Sequence, residues 1–138
     1  MTLHRFTPSH YFSTIGSHEP VLRIADGDTV ITQTIDSGGV NASGERVHRG
    51  DNPQTGPFYV EGAEPGNALA VRLDAITPNR RRGHSWTVIA ERILEPEFVR
   101  TLPESQSSRW EVDVEAGVVT LVEPETTLGR LTIPMAPM

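Results

Sequence analysis

The stretch from Asn52 to Gly66, NPQTGPFYVEGAEPG, leaves its backbone few choices. Pro53, Pro57 and Pro65 each fix one dihedral and remove an amide donor, while Gly56, Gly62 and Gly66 reach conformations that other residues avoid. No continuous helix can cross such a stretch, so the chain here must run in short elements joined by defined turns. The whole sequence carries the same punctuation, with eleven prolines and twelve glycines among 138 residues. That composition points to many short strands rather than a helical bundle. Between the fixed points of this segment stand Glu61 and Glu64, two carboxylates in a loop that can be held open. Either can serve as a general base on a water molecule, and either can simply accept hydrogen bonds from turn amides.

Strand-like alternation recurs along the chain. From Ala68 to Ile76, Leu69, Val71 and Leu73 point one way and Arg72 and Asp74 the other, the period of two expected of a half-buried antiparallel strand facing a core. Val21 to Ala25 and Thr29 to Ile35 read as two more strands, joined by the compact polar turn Asp26, Gly27 and Asp28. Phe58 to Glu61, Ser85 to Ala90, Arg109 to Val114, Val118 to Val122 and Arg130 to Ile133 complete the set, with Ala116 and Gly117 in a gap of hairpin length. Helix has little support: Pro96 interrupts the segment Glu91 to Thr101 and leaves room only for a short turn after it. Asn41 to Asp51 and Pro103 to Ser108 read as loops. The sequence therefore predicts a single all-β domain over residues 1–138, an antiparallel β-sandwich or partly closed barrel, jelly-roll-like, with minimal helix. The hydrophobic content of 36% suffices for one core.

Several function classes are excluded by what the chain lacks. A net charge of −6 opposes binding to phosphate backbones or anionic membranes, so neither nucleic acid nor membrane is an expected partner. The N-terminal MTLHRFTPSH has no apolar core of a signal peptide, and no run approaches the ~20 apolar residues of a membrane helix. A cytoplasmic location is the default expectation. Without cysteine there is no disulfide, no zinc–thiolate cluster and no thiol nucleophile. All 12 basic residues are arginine. Amide hydrolysis by a Glu, Lys and Cys triad or by a Ser, Ser and Lys triad is thereby closed to this chain, because the lysine is missing from both.

The remaining candidates are polar groups beside turns. Asp36 ends a β-like run and precedes Ser37, Gly38 and Gly39; such a carboxylate caps its own turn or faces a cavity and holds a metal. His48, shortly before Asp51 and Asn52, offers an imidazole beside carboxylates, which suits zinc as well as a solvated loop. Asn52 presents an amide dipole that can orient a substrate amide, although Asn before Pro also starts turns. Ser37 lacks the flanking pattern of a serine nucleophile. His18 and His84 read as structural, and Arg80, Arg81 and Arg82 as a solvated hairpin tip.

The segment NPQTGPFYVEGAEPGNALAVRL resembles the signature of the acetamidase/formamidase family, and HEPVLRIADGDTVITQTIDSGG upstream and LGRLTIPMAP near the end are similar to flanking parts of the same family. The resemblance covers the N-terminal half of such enzymes. It implies an amidase acting on linear amides, with formamide or acetamide as substrate and ammonia as product. It makes TIDSGG an acidic motif of the site and Asp36 the first choice for a metal ligand or acid/base group. It also implies a partner, either the C-terminal half or a second chain, in a homo-oligomeric assembly. Once Cys and Lys are excluded, a water activated by a divalent metal such as zinc is the economical route to hydrolysis. Asp36 and His48 are then the expected ligands, Asp36, Glu61 and Glu64 the catalytic carboxylates, and Asn52 the substrate contact. A non-catalytic β-domain that assembles with another chain or binds a small ligand is the competing expectation.

Overall fold

The computed structural model describes residues 1–86 and 93–136. Where the length suggests one domain, the chain divides into two compact units, Met1–Arg72 and Leu73–Met138. Strand dominates both, and the sheets do not close into a barrel.

The first unit contains β1 (Leu3–Phe6), β2 (Leu22–Ile24), β3 (Thr29–Thr32) and β4 (Phe58–Val60). Strand β1 pairs in parallel with β3, and β2 in parallel with β4, so the two ladders interleave along the sequence. The expected turn at Asp26 to Asp28 is present, with Gly27 at φ 79° and a hydrogen bond from the Asp28 amide to the Ala25 carbonyl. It does not make a hairpin, however. Leaving the turn, β3 runs beside β1 rather than back along β2, and this accounts for the parallel ladders where antiparallel ones were expected. Phe6 and Phe58, one from each ladder, meet edge to face with centroids 5.5 Å apart.

Asp28 fixes this arrangement. Its side chain, 7% exposed, accepts hydrogen bonds from the amides of Thr2 and Ala25 at 2.6 and 3.0 Å and pairs with Nε2 of His4 at 2.9 Å. One carboxylate thus ties the start of β1 to the turn that delivers β3. The hydrogen bond with His4, followed by the two amides, holds the Asp28 carboxyl well below the usual carboxylate range.

The second unit is the antiparallel sheet that the sequence suggests, in the order β5 (Arg82–Trp86), β6 (Ser107–Asp113), β7 (Val118–Glu123) and β8 (Thr132–Pro134). Residues 87–90 of the expected Ser85 to Ala90 strand lie outside the described residues. The turn between β6 and β7 closes through Gly117 at φ 66° and a hydrogen bond from the Ala116 amide to Asp113 Oδ1. Gly83 stands opposite Trp110, whose ring nitrogen donates to Ser85 Oγ at 3.0 Å, so the indole spans the gap left by the missing side chain. Across the outer ladder, Thr120 and Thr132 share a hydrogen bond of 3.1 Å. A single helical turn, α1 (Pro96–Val99), follows the proline as expected. No helix among the described residues is long and apolar enough to cross a membrane.

The clearest strand of the sequence reading is not one. Residues 68–76 belong to no strand, and Leu69, Val71 and Leu73 are 66, 72 and 67% exposed. Alternation supplies the propensity of a strand, but pairing needs an open edge and burial needs an opposing layer. Val112 on β6, at 8% exposure, is the one buried hydrophobic side chain among the described residues.

Truncating Val112 to Ala is expected to cost about 1.5 kcal/mol in urea unfolding, from ~0.8 kcal/mol per buried methylene. Replacing Val71 with Asp is expected to change stability by less than about 0.5 kcal/mol, as at ordinary surface positions. Asp28 makes the acid limb of stability specific. Because its folded pKa lies below the ordinary 3.8, its contribution is complete above that value and is lost as the pH falls toward the folded pKa. Asp28→Asn is expected to lower stability at neutral pH and to flatten the acid limb, measured as urea midpoints across a pH series.

Candidate functional site

The residues between Asp36 and Asn52 form nested turns. Asp36 Oδ1 accepts the amides of Gly38 and Val40, both at 2.9 Å, while the Asp36 amide donates to the Val40 carbonyl at 3.0 Å. Asn41 repeats the device, its Oδ1 accepting from Ser43 and Glu45 at 3.0 and 2.9 Å. Val40 and Arg46 then pair as an antiparallel bridge, which returns the chain toward Asp36.

The return is closed at Gly39. Its carbonyl accepts from the amides of Val47 and His48 at 2.9 and 3.2 Å. Gly39 is buried with φ 81°, and a Cβ added there would run into the His48 carbonyl oxygen and lie 2.9 Å from its carbon. Only glycine allows both the left-handed backbone and the close approach. The Asp36 turn and His48, twelve residues apart in sequence, are therefore neighbours because of one glycine.

Asn52 joins the same cluster from the other side, its amide donating to the Ser37 carbonyl at 2.9 Å. At φ 49° it is the one described non-glycine residue with a left-handed backbone, a conformation that asparagine tolerates well. Thr55 Oγ1 reaches the Gln33 carbonyl at 3.2 Å and anchors the next part of the segment. The beginning of the proline-rich loop thus lies against the Asp36 turn. Asp36 and His48 are half-buried, and the Asn52 side chain is exposed.

The carboxylates at the other end of that loop sit differently. Glu61 follows β4 and extends its ladder, with its amide on the Ile24 carbonyl at 2.8 Å. Its side chain pairs with Arg23 at 3.0 Å, and the guanidinium lies 4.2 Å above the Tyr59 ring. Glu64 opens a turn in which its amide binds Asn67 Oδ1 at 3.0 Å and its carbonyl accepts the Asn67 amide at 3.0 Å. Both glutamate side chains are exposed.

Sequence reasoning missed the segment 12–18, which covers the loop from outside. Phe12 and Gln54 form an isolated bridge, and Phe12 stacks on His18 at 3.8 Å. His18 also meets Thr14 Oγ1 at 2.9 Å, which gives it the structural role expected of it. Ser13 Oγ is 2.9 Å from His48 Nε2 across 35 positions of sequence. No spacing rule connects them.

As metal donors, Asp36 and His48 fit a divalent ion in kind but not in number. Catalytic zinc takes three protein ligands and a water, and no group of three or more His, Asp or Glu side chains gathers for a metal among the described residues. One Asp36 oxygen is already committed to turn amides and one His48 nitrogen to Ser13.

Gly39→Ala is expected to destabilise the first unit by at least about 1–2 kcal/mol, the cost of a left-handed backbone alone, with urea unfolding as the measurement.

No family model, no curated protein and no solved structure matches the chain, so the geometry of the first unit carries the functional reading.

Proposed function

We propose that the chain is part of an amide hydrolase of the acetamidase/formamidase type, acting on small linear amides such as formamide and acetamide. The observation that carries this reading is the convergence at Gly39. The backbones that carry Asp36, His48 and Asn52, from three places in the sequence, are hydrogen-bonded into one loop cluster, and Asp36 and Asn52 lie in the segments on which the sequence resemblance rests. Asp36 and His48 would supply two donors to a divalent metal such as zinc, whose chemistry when bound is to acidify a water and polarise a carbonyl. Asn52 would orient the amide. The remaining donors come from a second chain or further segment that also covers Glu61 and Glu64, since general-base work by either carboxylate requires shielding from water. A cytoplasmic location is the default that goes with this reading.

Leu69, Val71 and Leu73 are largely exposed, and exposed apolar side chains grouped in this way favour a partner surface. The same feature favours the second reading, a non-catalytic β-domain that serves assembly.

Ammonia release from formamide and acetamide separates the two. It is measured with and without added zinc, on the full chain and on any complex isolated by size-exclusion chromatography with light scattering. Asp36→Asn and His48→Gln are each expected to lower release by about 10²-fold or more. An associating chain that releases no ammonia under any of these conditions is an assembly domain. Release unchanged by both substitutions means that the site lies elsewhere.

A further inference from the structure

His48 has two ring nitrogens, and the structure commits one of them. Nε2 lies 2.9 Å from Ser13 Oγ, a contact that the bridge between Phe12 and Gln54 holds in place by pinning the chain on either side of it. Gly50 closes the arrangement. A Cβ at Gly50 would run into Ser13 Oγ and lie 3.1 Å from Ser13 Cβ and 2.8 Å from His48 Nε2. A side chain at Gly50, which has no positive φ, would have to displace the hydroxyl or the imidazole from this contact.

We infer that Ser13 is a positioning residue for His48: its hydroxyl accepts the Nε2 hydrogen and fixes the ring, so that the Nδ1 lone pair is what His48 offers to a metal or to a substrate proton. The assignment rests on the amide-hydrolase reading for the use of Nδ1, but the contact itself does not depend on it. A histidine that ligates or accepts a proton through one nitrogen works best when the other is held by a partner, which sets the tautomer and the ring orientation together. Ser13 is the partner here, and it comes from a segment that neither the proline-rich loop nor the Asp36 turn contains.

The test is a long-range proton–nitrogen spectrum of the ¹⁵N-labelled full chain, free of metal and substrate, at a pH where imidazole is neutral. His48 is assigned by the loss of its signals in His48→Gln. The expected result is a single dominant tautomer with the hydrogen on Nε2, seen as two well-separated ring nitrogen resonances. In Ser13→Ala the two should converge toward the averaged values of a freely exchanging ring. Gly50→Ala, which displaces the hydroxyl without deleting either partner, should do the same, and Ser13→Thr, which keeps a hydroxyl on Cβ, should restore the separation. Backbone amide dispersion monitors folding of each variant. A hydrogen on Nδ1 in the parent, or a Ser13→Ala spectrum that superimposes on the parent at His48, overturns the inference. Ammonia release is scored separately: its absence beside the expected nitrogen spectrum would remove the amide-hydrolase reading and leave the Ser13 contact standing.

Discussion

Backbone amides captured by short side-chain oxygens hold this chain in shape. Asp28, Asp36, Asn41 and Asp113 each accept one or two such amides, and between them they set the turn before β3, the two nested turns of the candidate site and the turn between β6 and β7. Side chains of this kind compete with regular secondary structure for backbone groups and so belong in turns. With Val112 as the one buried hydrophobic side chain among the described residues, there is little core to impose geometry from within. The polar turns do so instead, each with a side-chain oxygen on one or more backbone amides.

This reliance has a consequence for chemistry. A carboxylate that organises its own turn is well placed but partly spent, since one oxygen of Asp36 is engaged by two amides before any ligand arrives. The engagement also preorganises it, because the turn cannot shift without breaking both bonds. His48 is treated alike: Gly39 receives its backbone and Ser13 its ring. Loops that carry function are usually positioned by a rigid scaffold. Here the loop is held mainly by its own hydrogen bonds and by the segment 12–18.

What could be read from the sequence follows the range of the interactions involved. The strands β2 to β4 and β6 to β8, the helical turn after Pro96 and the turn at Asp26 to Asp28 rest on local pattern and punctuation, and all are present. The nearness of Asp36 and Asn52 rests on backbone contacts across the loop that no local pattern shows. Strand β1, LHRF, was not read from the sequence. The parallel pairing escaped because partner choice in a sheet is decided by non-local contacts. Ser13 escaped for the same reason, and nothing in FSTIGSH marks it. The segment 68–76 failed in the opposite direction: its pattern was clear, and pattern alone does not supply a neighbour.

That last failure bears on the site. A period of two with Leu69, Val71 and Leu73 on one side is a sequence suited to burial, yet these side chains stand in water here at an energetic cost that a covering layer would remove. The site has a matching deficit. As metal ligands, Asp36 and His48 would be two donors where catalytic zinc takes three, and the Glu61 and Glu64 side chains are exposed. The two deficits are of different kinds: an apolar layer would relieve the first, and further polar donors the second. A domain serving assembly alone would explain the exposed apolar run, and Asp36 would then serve only the turn that it organises.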